Sequence, residues 1–211
     1  MKKREAFVRM LGSYYRFARC AWFLLGCFFL GFLLSSVLIR FEIDFVITTA
    51  RVWSKQVMFE YSGLSFLKIL LQYFVSMSVS YIFVLTLGLF VPGEALSFLD
   101  LIFEGARVGS IFAFIYHAYQ MQGVLFVFAV LLIPTFGYVL CLIFAFRGTI
   151  HFSLTLLHQF LGKHCENLMT EYKAFLIRSL LCPLGFFGSA VCGAGLQRCF
   201  AVLFSFDVSW N

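Results

Sequence analysis

Charge is what this sequence has least of. Of 211 residues, only 12% are Asp, Glu, Lys or Arg, against about 25% in an ordinary soluble domain. That scarcity excludes a water-soluble fold, because 26 charged side chains cannot solvate a surface shared with 30 Phe. Short chemical signatures are missing too: there is no G-x-S-x-G, H-E-x-x-H, P-loop or G-x-G-x-x-G. An enzyme is not expected, and neither a cofactor nor a nucleic-acid partner is implied. The seven Cys, at 20, 27, 141, 165, 182, 192 and 199, form no C-x-x-C. Most lie in or beside apolar runs and read as small buried side chains rather than a disulfide framework. His151 and His158 stand two helical turns apart, too wide for the i, i+4 pair of a metal site, so no metal is assigned. His117 reads as the cap of a polar turn. No internal repeat, low-complexity tract or soluble domain is visible.

What remains is apolar: 62% of the residues are hydrophobic and mean hydropathy is +0.95. The expected fold is all-α, a polytopic membrane helical bundle in a single integral membrane domain over residues 1–211, in contact with membrane lipid. Its spans are expected at about 17–39, 67–91, 96–119, 124–146 and 174–195, each long enough for a hydrocarbon core at about 1.5 Å per residue. The first follows MKKREAFVRMLGSYYRFAR, which has six basic residues and one acid. That flank belongs in the cytoplasm by the positive-inside bias. Five crossings then put the C-terminus outside.

Two amphipathic stretches lie between spans. In residues 40–65 the apolar positions Phe45, Val46, Val52, Trp53, Val57 and Tyr61 suggest a helix at the outer interface. In TIHFSLTLLHQFLG, residues 149–162, Ile150, Leu154, Leu157 and Leu161 suggest a helix on the cytoplasmic surface. Lys68 can reach the headgroups from the end of its span. The QRCFAVLFSFDVSWN tail is too short for a sixth crossing; it extends the fifth helix or lies in the interface.

The third span contains LIFEGARVGSIFAF. Asp100, Glu104 and Arg107 are spaced i, i+4, i+7 and share one helix face. Each such charge costs about 2.5–3.5 kcal/mol at the bilayer centre on insertion scales, so the face points into the bundle. Three readings stand for it: a structural ion pair, a transport or proton path, and a partner contact. Gly105 and Gly109 form G-x-x-x-G on the same helix, and Gly185, Ser189 and Gly193 make a comparable stripe on the fifth span. Both patterns allow close helix approach.

The order of these features resembles a known family. A basic arm and one span precede an outer amphipathic segment. LTLGLFVPGEAL, FEGARVGSIFAF, YQMQG and the proline-interrupted FVFAVLLIPTFGYVLCLIFAFRGTIHFS follow, with a cytoplasmic helix before the last span. Over roughly residues 15–205 this resembles the stage II sporulation protein M family, integral membrane proteins of endospore-forming bacteria. The family's polar-Gly-x-x-x-Gly element falls on Glu104, Gly105 and Gly109, and its fourth-helix proline on Pro134. The His and Glu that often follow that proline in the wider family are Thr135 and Val139 here, so no activity of theirs carries over. The resemblance implies a non-enzymatic scaffold in the septal and engulfing mother-cell membrane. Its implied partners are the peptidoglycan-cutting stage II sporulation proteins D and P. A small permease using Asp100, Glu104 and Arg107 is the competing expectation.

Overall fold

The computed structural model describes the backbone of residues 2–58, 65–90, 93–161 and 168–200, and most side chains from Cys20 onward within these. The break at Pro92, Cys165 and the tail 201–211 lie outside the described residues. Helices α1 (Lys2–Arg40), α2 (Asp44–Met58), α3 (Phe66–Gly88), α4 (Gly93–Phe126), α5 (Leu132–Phe160) and α6 (Leu168–Phe200) follow one another, with a π-helical turn at Val127–Leu131. No strand occurs among the described residues, and the protein is an all-α membrane bundle.

Four stretches are long and apolar enough to cross a membrane: Cys20–Arg40, Phe66–Gly88, Ala95–Phe160 and Phe175–Phe200. The third, at 66 residues, would be about 100 Å long if straight, some three times a hydrocarbon core. It folds back at Gln120, whose φ of 48° leaves the right-handed helical region. A methyl on Gly123 would strike the Ile115 carbonyl oxygen, so the tight return needs glycine. The fold-back yields two antiparallel arms, and five segments of membrane length in all. Their directions alternate. Phe23 meets Phe98 and Phe32 meets Phe112, so α1 runs parallel to the first arm. Thr149 donates to the Val84 carbonyl and Ser153 to that of Phe90, so α3 runs parallel to α5.

Two helix pairs approach closely through small residues. On α1 against α4, an added methyl at Gly31 would hit the Ile102 carbonyl, one at Gly105 that of Phe28, and one at Gly109 that of Phe32. On α5 against α6, Gly185 faces Cys141, Ser189 faces Gly137, and Gly193 faces Pro134. These three contacts descend one helix as they climb the other. Pro134 is fully buried within a helix. Its missing N–H and bulky ring disturb the preceding turn, and the chain absorbs this by widening: the Leu132 N–H reaches back five residues to the Val127 carbonyl.

Phe146, Phe186, Leu142, Leu101, Val84 and Leu24 fill the centre. The perimeter is equally apolar, with Trp22, Leu33, Phe83, Phe128, Phe136 and Leu180 exposed. An aqueous surface would not be built this way; a lipid-facing one is.

Two placements differ from the sequence reading. The expected surface helix at 149–162 is the continuation of α5, which passes Arg147-Gly148 unbroken and ends at Phe160. Thr149 and Ser153 bind it to α3, and Phe152 stacks on Phe175 of α6 at 4.8 Å. The second is α2, which leans along α4. Val46, Ile47 and Ala50 pack with Ala113 and Phe114, while Trp53 meets Phe103 edge-on at 6.1 Å. Phe114 and Phe103 are about 16 Å apart along a helix. Helix α2 therefore descends beside its neighbour, because its apolar face finds a protein partner there.

Two outcomes follow from this packing. Reporter fusions ending after Phe90 and after Gln122 should read opposite sides of the membrane; the same side would break the five-segment alternation. Gly105→Leu should destabilise by about 1–3 kcal/mol or more, whereas Gly26→Ala, which meets nothing within 4 Å, should unfold no lower than wild type. Thermal unfolding in micelles compares them.

Candidate functional site

Helical spacing alone lets Arg107 reach Glu104 one turn back, and the structure joins them. Arg107 Nη2 lies 2.8 Å from Glu104 Oε2, and Nε donates to the same oxygen at 3.0 Å. The Gln120 fold-back brings a third member from α5. Tyr138 Oη donates to Glu104 Oε2 at 2.9 Å and accepts from Arg107 Nη2 at 3.2 Å. The Arg107 guanidinium carbon also stands 5.9 Å from the centre of the Tyr138 ring, within cation–π range. Glu104 is 5% exposed, so its charge is met by protein groups.

Aromatic packing fixes the tyrosine. Its ring lies 5.7 Å from that of Phe186 on α6, which lies 5.2 Å from Tyr81 on α3. Tyr81 in turn donates to the Ser179 carbonyl. The triad is thus tied to four helices. Charge-assisted hydrogen bonds of this kind are roughly twice as strong as neutral ones, and here they join the two arms of the hairpin.

Of the residues singled out in the sequence, Glu104 and Arg107 come together and Asp100 stays apart. Asp100 is half-buried, and its Oδ2 is buried without a hydrogen-bond partner among the described residues. Gly105 and Gly109 sit against α1, and Pro134, Gly185, Ser189 and Gly193 lie in the α5–α6 seam. His117, His151 and His158 are exposed. Sequence reasoning missed Tyr138 and Gly31, and placed Trp53 only on the apolar face of an interfacial helix. Tyr138 had a signal: Glu104 and Tyr138 are equidistant from Met121 in the turn, so an antiparallel hairpin sets them opposite. Gly31 stands i+3 from Phe28 on the α1 face that meets α4.

Next to the triad the helices leave a cavity of about 110 Å³. Arg107 and Tyr138 form part of its wall, with Trp53 from α2, Gln72 and Tyr73 from α3, and Thr135 from α5. Glu104 does not face it. Arg107, whose side chain is 21% exposed, turns one edge of its guanidinium to this space.

No family model matches this chain, and neither a characterised protein nor a solved structure matches it. The class defined by the fold and the site is a multi-pass helical membrane bundle closed around a buried ion pair.

The triad makes a quantitative expectation. Glu104→Leu or Arg107→Leu alone leaves its partner's charge unpaired and should destabilise by about 3–5 kcal/mol, while the double Leu variant should be close to neutral. Tyr138→Phe removes one donor to Glu104 and should cost about 1–3 kcal/mol. Denaturant unfolding in micelles checks all four. Equal stability of the single and double Leu variants would mean that the two charges do not stabilise each other.

Proposed function

We propose that this protein is a non-enzymatic membrane scaffold that recruits and holds peptidoglycan-degrading enzymes at the septal membrane while it engulfs the forespore. The observation that carries the scaffold reading is the triad. Glu104 and Arg107 of the third membrane segment are turned on each other and on Tyr138, so they hold helices together instead of lining a path. The partner class comes from the resemblance to the stage II sporulation protein M family, which points to stage II sporulation proteins D and P. In this reading the basic N-terminal flank is cytoplasmic and the end of α6 is extracytoplasmic. The turn between α1 and α2 then lies on the wall side, where Phe41, Ile43 and Phe45 are exposed and offer an apolar docking surface.

A permease is the competing reading, and one observation favours it: the unpartnered Asp100 oxygen on the same helix face as the triad. Two measurements decide. An affinity-tagged protein, crosslinked in its native host during sporulation, should carry peptidoglycan hydrolases through purification. A transport ATPase without hydrolases would overturn the scaffold. The Glu104→Leu, Arg107→Leu double variant should retain engulfment under the scaffold reading. A stable but inactive double variant would favour the permease.

A further inference from the structure

A second cleft, of about 550 Å³, opens where α1 ends beside the first arm of α4. Arg40 closes the apolar run Cys20–Arg40, and His117 stands three residues before the fold-back at Gln120. The two therefore sit at one level, where hydrocarbon gives way to headgroups. Four exposed side chains rim the cleft: Arg40, Glu42, Tyr116 and His117. Below them Ile39, Phe112 and Phe32 form an apolar floor. Phe32 is eight residues from Arg40, so the floor reaches about 12 Å toward the membrane centre.

The rim carries both signs of charge, and they do not cancel. Arg40 and Glu42 are two residues apart, yet they form no ion pair, and neither makes a side-chain hydrogen bond to the described residues. Glu42 holds a costly position. Its φ of 53° lies in the left-handed region, in the turn that closes α1, where glycine is the usual residue. A carboxylate at a helix C-terminus also meets the negative end of the dipole. A ligand cation would give it a partner. Across the rim, Arg40 offers a guanidinium and His117 an imidazole N–H in either protonation state; both suit a phosphate. Ser36 donates its proton to the Phe32 carbonyl at 2.8 Å, so toward the cleft it is left as an acceptor. Tyr116 adds an aromatic face for a cation. The rim thus fits an anion and a hydrogen-bonding cation on one molecule, and the floor fits a hydrocarbon chain attached to it. We infer that this cleft binds a phospholipid with an ethanolamine headgroup, its phosphate on Arg40 and His117 and its ammonium on Glu42. A choline head has no N–H to donate, and a glycerol head has no cation. This site stands independently of the scaffold reading.

The test uses the full-length protein in micelles and counts bound lipid by native mass spectrometry. The probes are dioleoyl phosphatidylethanolamine, phosphatidylglycerol and phosphatidylcholine, which share their chains and differ in the headgroup. In equimolar pairwise competition the ethanolamine lipid should be retained about three- to fivefold over each of the others, the scale of one exposed charge pair. Glu42→Gln keeps the shape of the side chain and should erase the preference over phosphatidylglycerol, a ratio that a general loss of stability would not move. Arg40→Gln should weaken all three lipids by a similar factor. Water-soluble glycerophosphoethanolamine, the head without the chains, should not compete at the lipid's concentration. Equal retention of the three lipids by the wild type, a preference unchanged in Glu42→Gln, undiminished binding to Arg40→Gln, or displacement by the soluble head would each overturn the proposal.

Discussion

A guanidinium inside hydrocarbon has to keep its acceptors, and much of this bundle is arranged to supply them. Arg107 finds Glu104 on its own helix by spacing alone, but one oxygen of one carboxylate does not occupy five N–H groups. The remainder needs a second helix, brought round by the Gln120 turn and held in rotation by Phe186 and Tyr81. Desolvating the pair works against stability, and its net contribution to that stability is small. What it enforces is register. Sliding α5 by one turn along α4 would carry Tyr138 out of reach and take from the ion pair its hydrogen bonds to the second helix.

Apolar packing alone could not set that register, because lipid tails compete on equal terms with Leu and Phe for any apolar face. The protein uses small residues where it needs commitment. The α1–α4 seam brings backbone against backbone at Gly31, Gly105 and Gly109, and the α5–α6 seam uses Gly137, Gly185 and Gly193 with Ser189 and Cys141. The hairpin arms sit between these seams and are joined by the triad. Close van der Waals approach outside and hydrogen bonds inside thus divide the work of association.

Much of this architecture could be read from the residues. Sparse charge and long apolar runs reveal a membrane bundle, and the helix spacing of Glu104 and Arg107 reveals their pairing. The partner helix was partly legible, since reflecting Glu104 through Met121 arrives at Tyr138. Helix α2 was not. Its amphipathic pattern says that one face wants cover but cannot say whether headgroups or α4 provide it. The unbroken run of α5 past Arg147-Gly148 was hidden for another reason: those residues lower hydropathy sharply, yet a single glycine costs a helix only about 1 kcal/mol, and Thr149, Ser153 and Phe152 outweigh that by packing. Hydropathy marks where a membrane ends; it does not mark where a helix ends.

The tight turn at Gln120 also bears on how the chain enters the bilayer during synthesis. Emerging alone, the Ala95–Tyr119 arm would present Glu104 and Arg107 to lipid at a combined penalty of about 5–7 kcal/mol on insertion scales. The arm that follows is strongly apolar and carries Tyr138 at the matching depth. A connection this short favours insertion of the two arms together, as one hairpin. The hydrophobicity of the later arm then drives its polar predecessor into the membrane, and the ion pair is covered as it arrives. Lengthening that connection would uncouple the two events and expose the nascent protein to quality-control proteolysis, even though every contact of the finished bundle were kept.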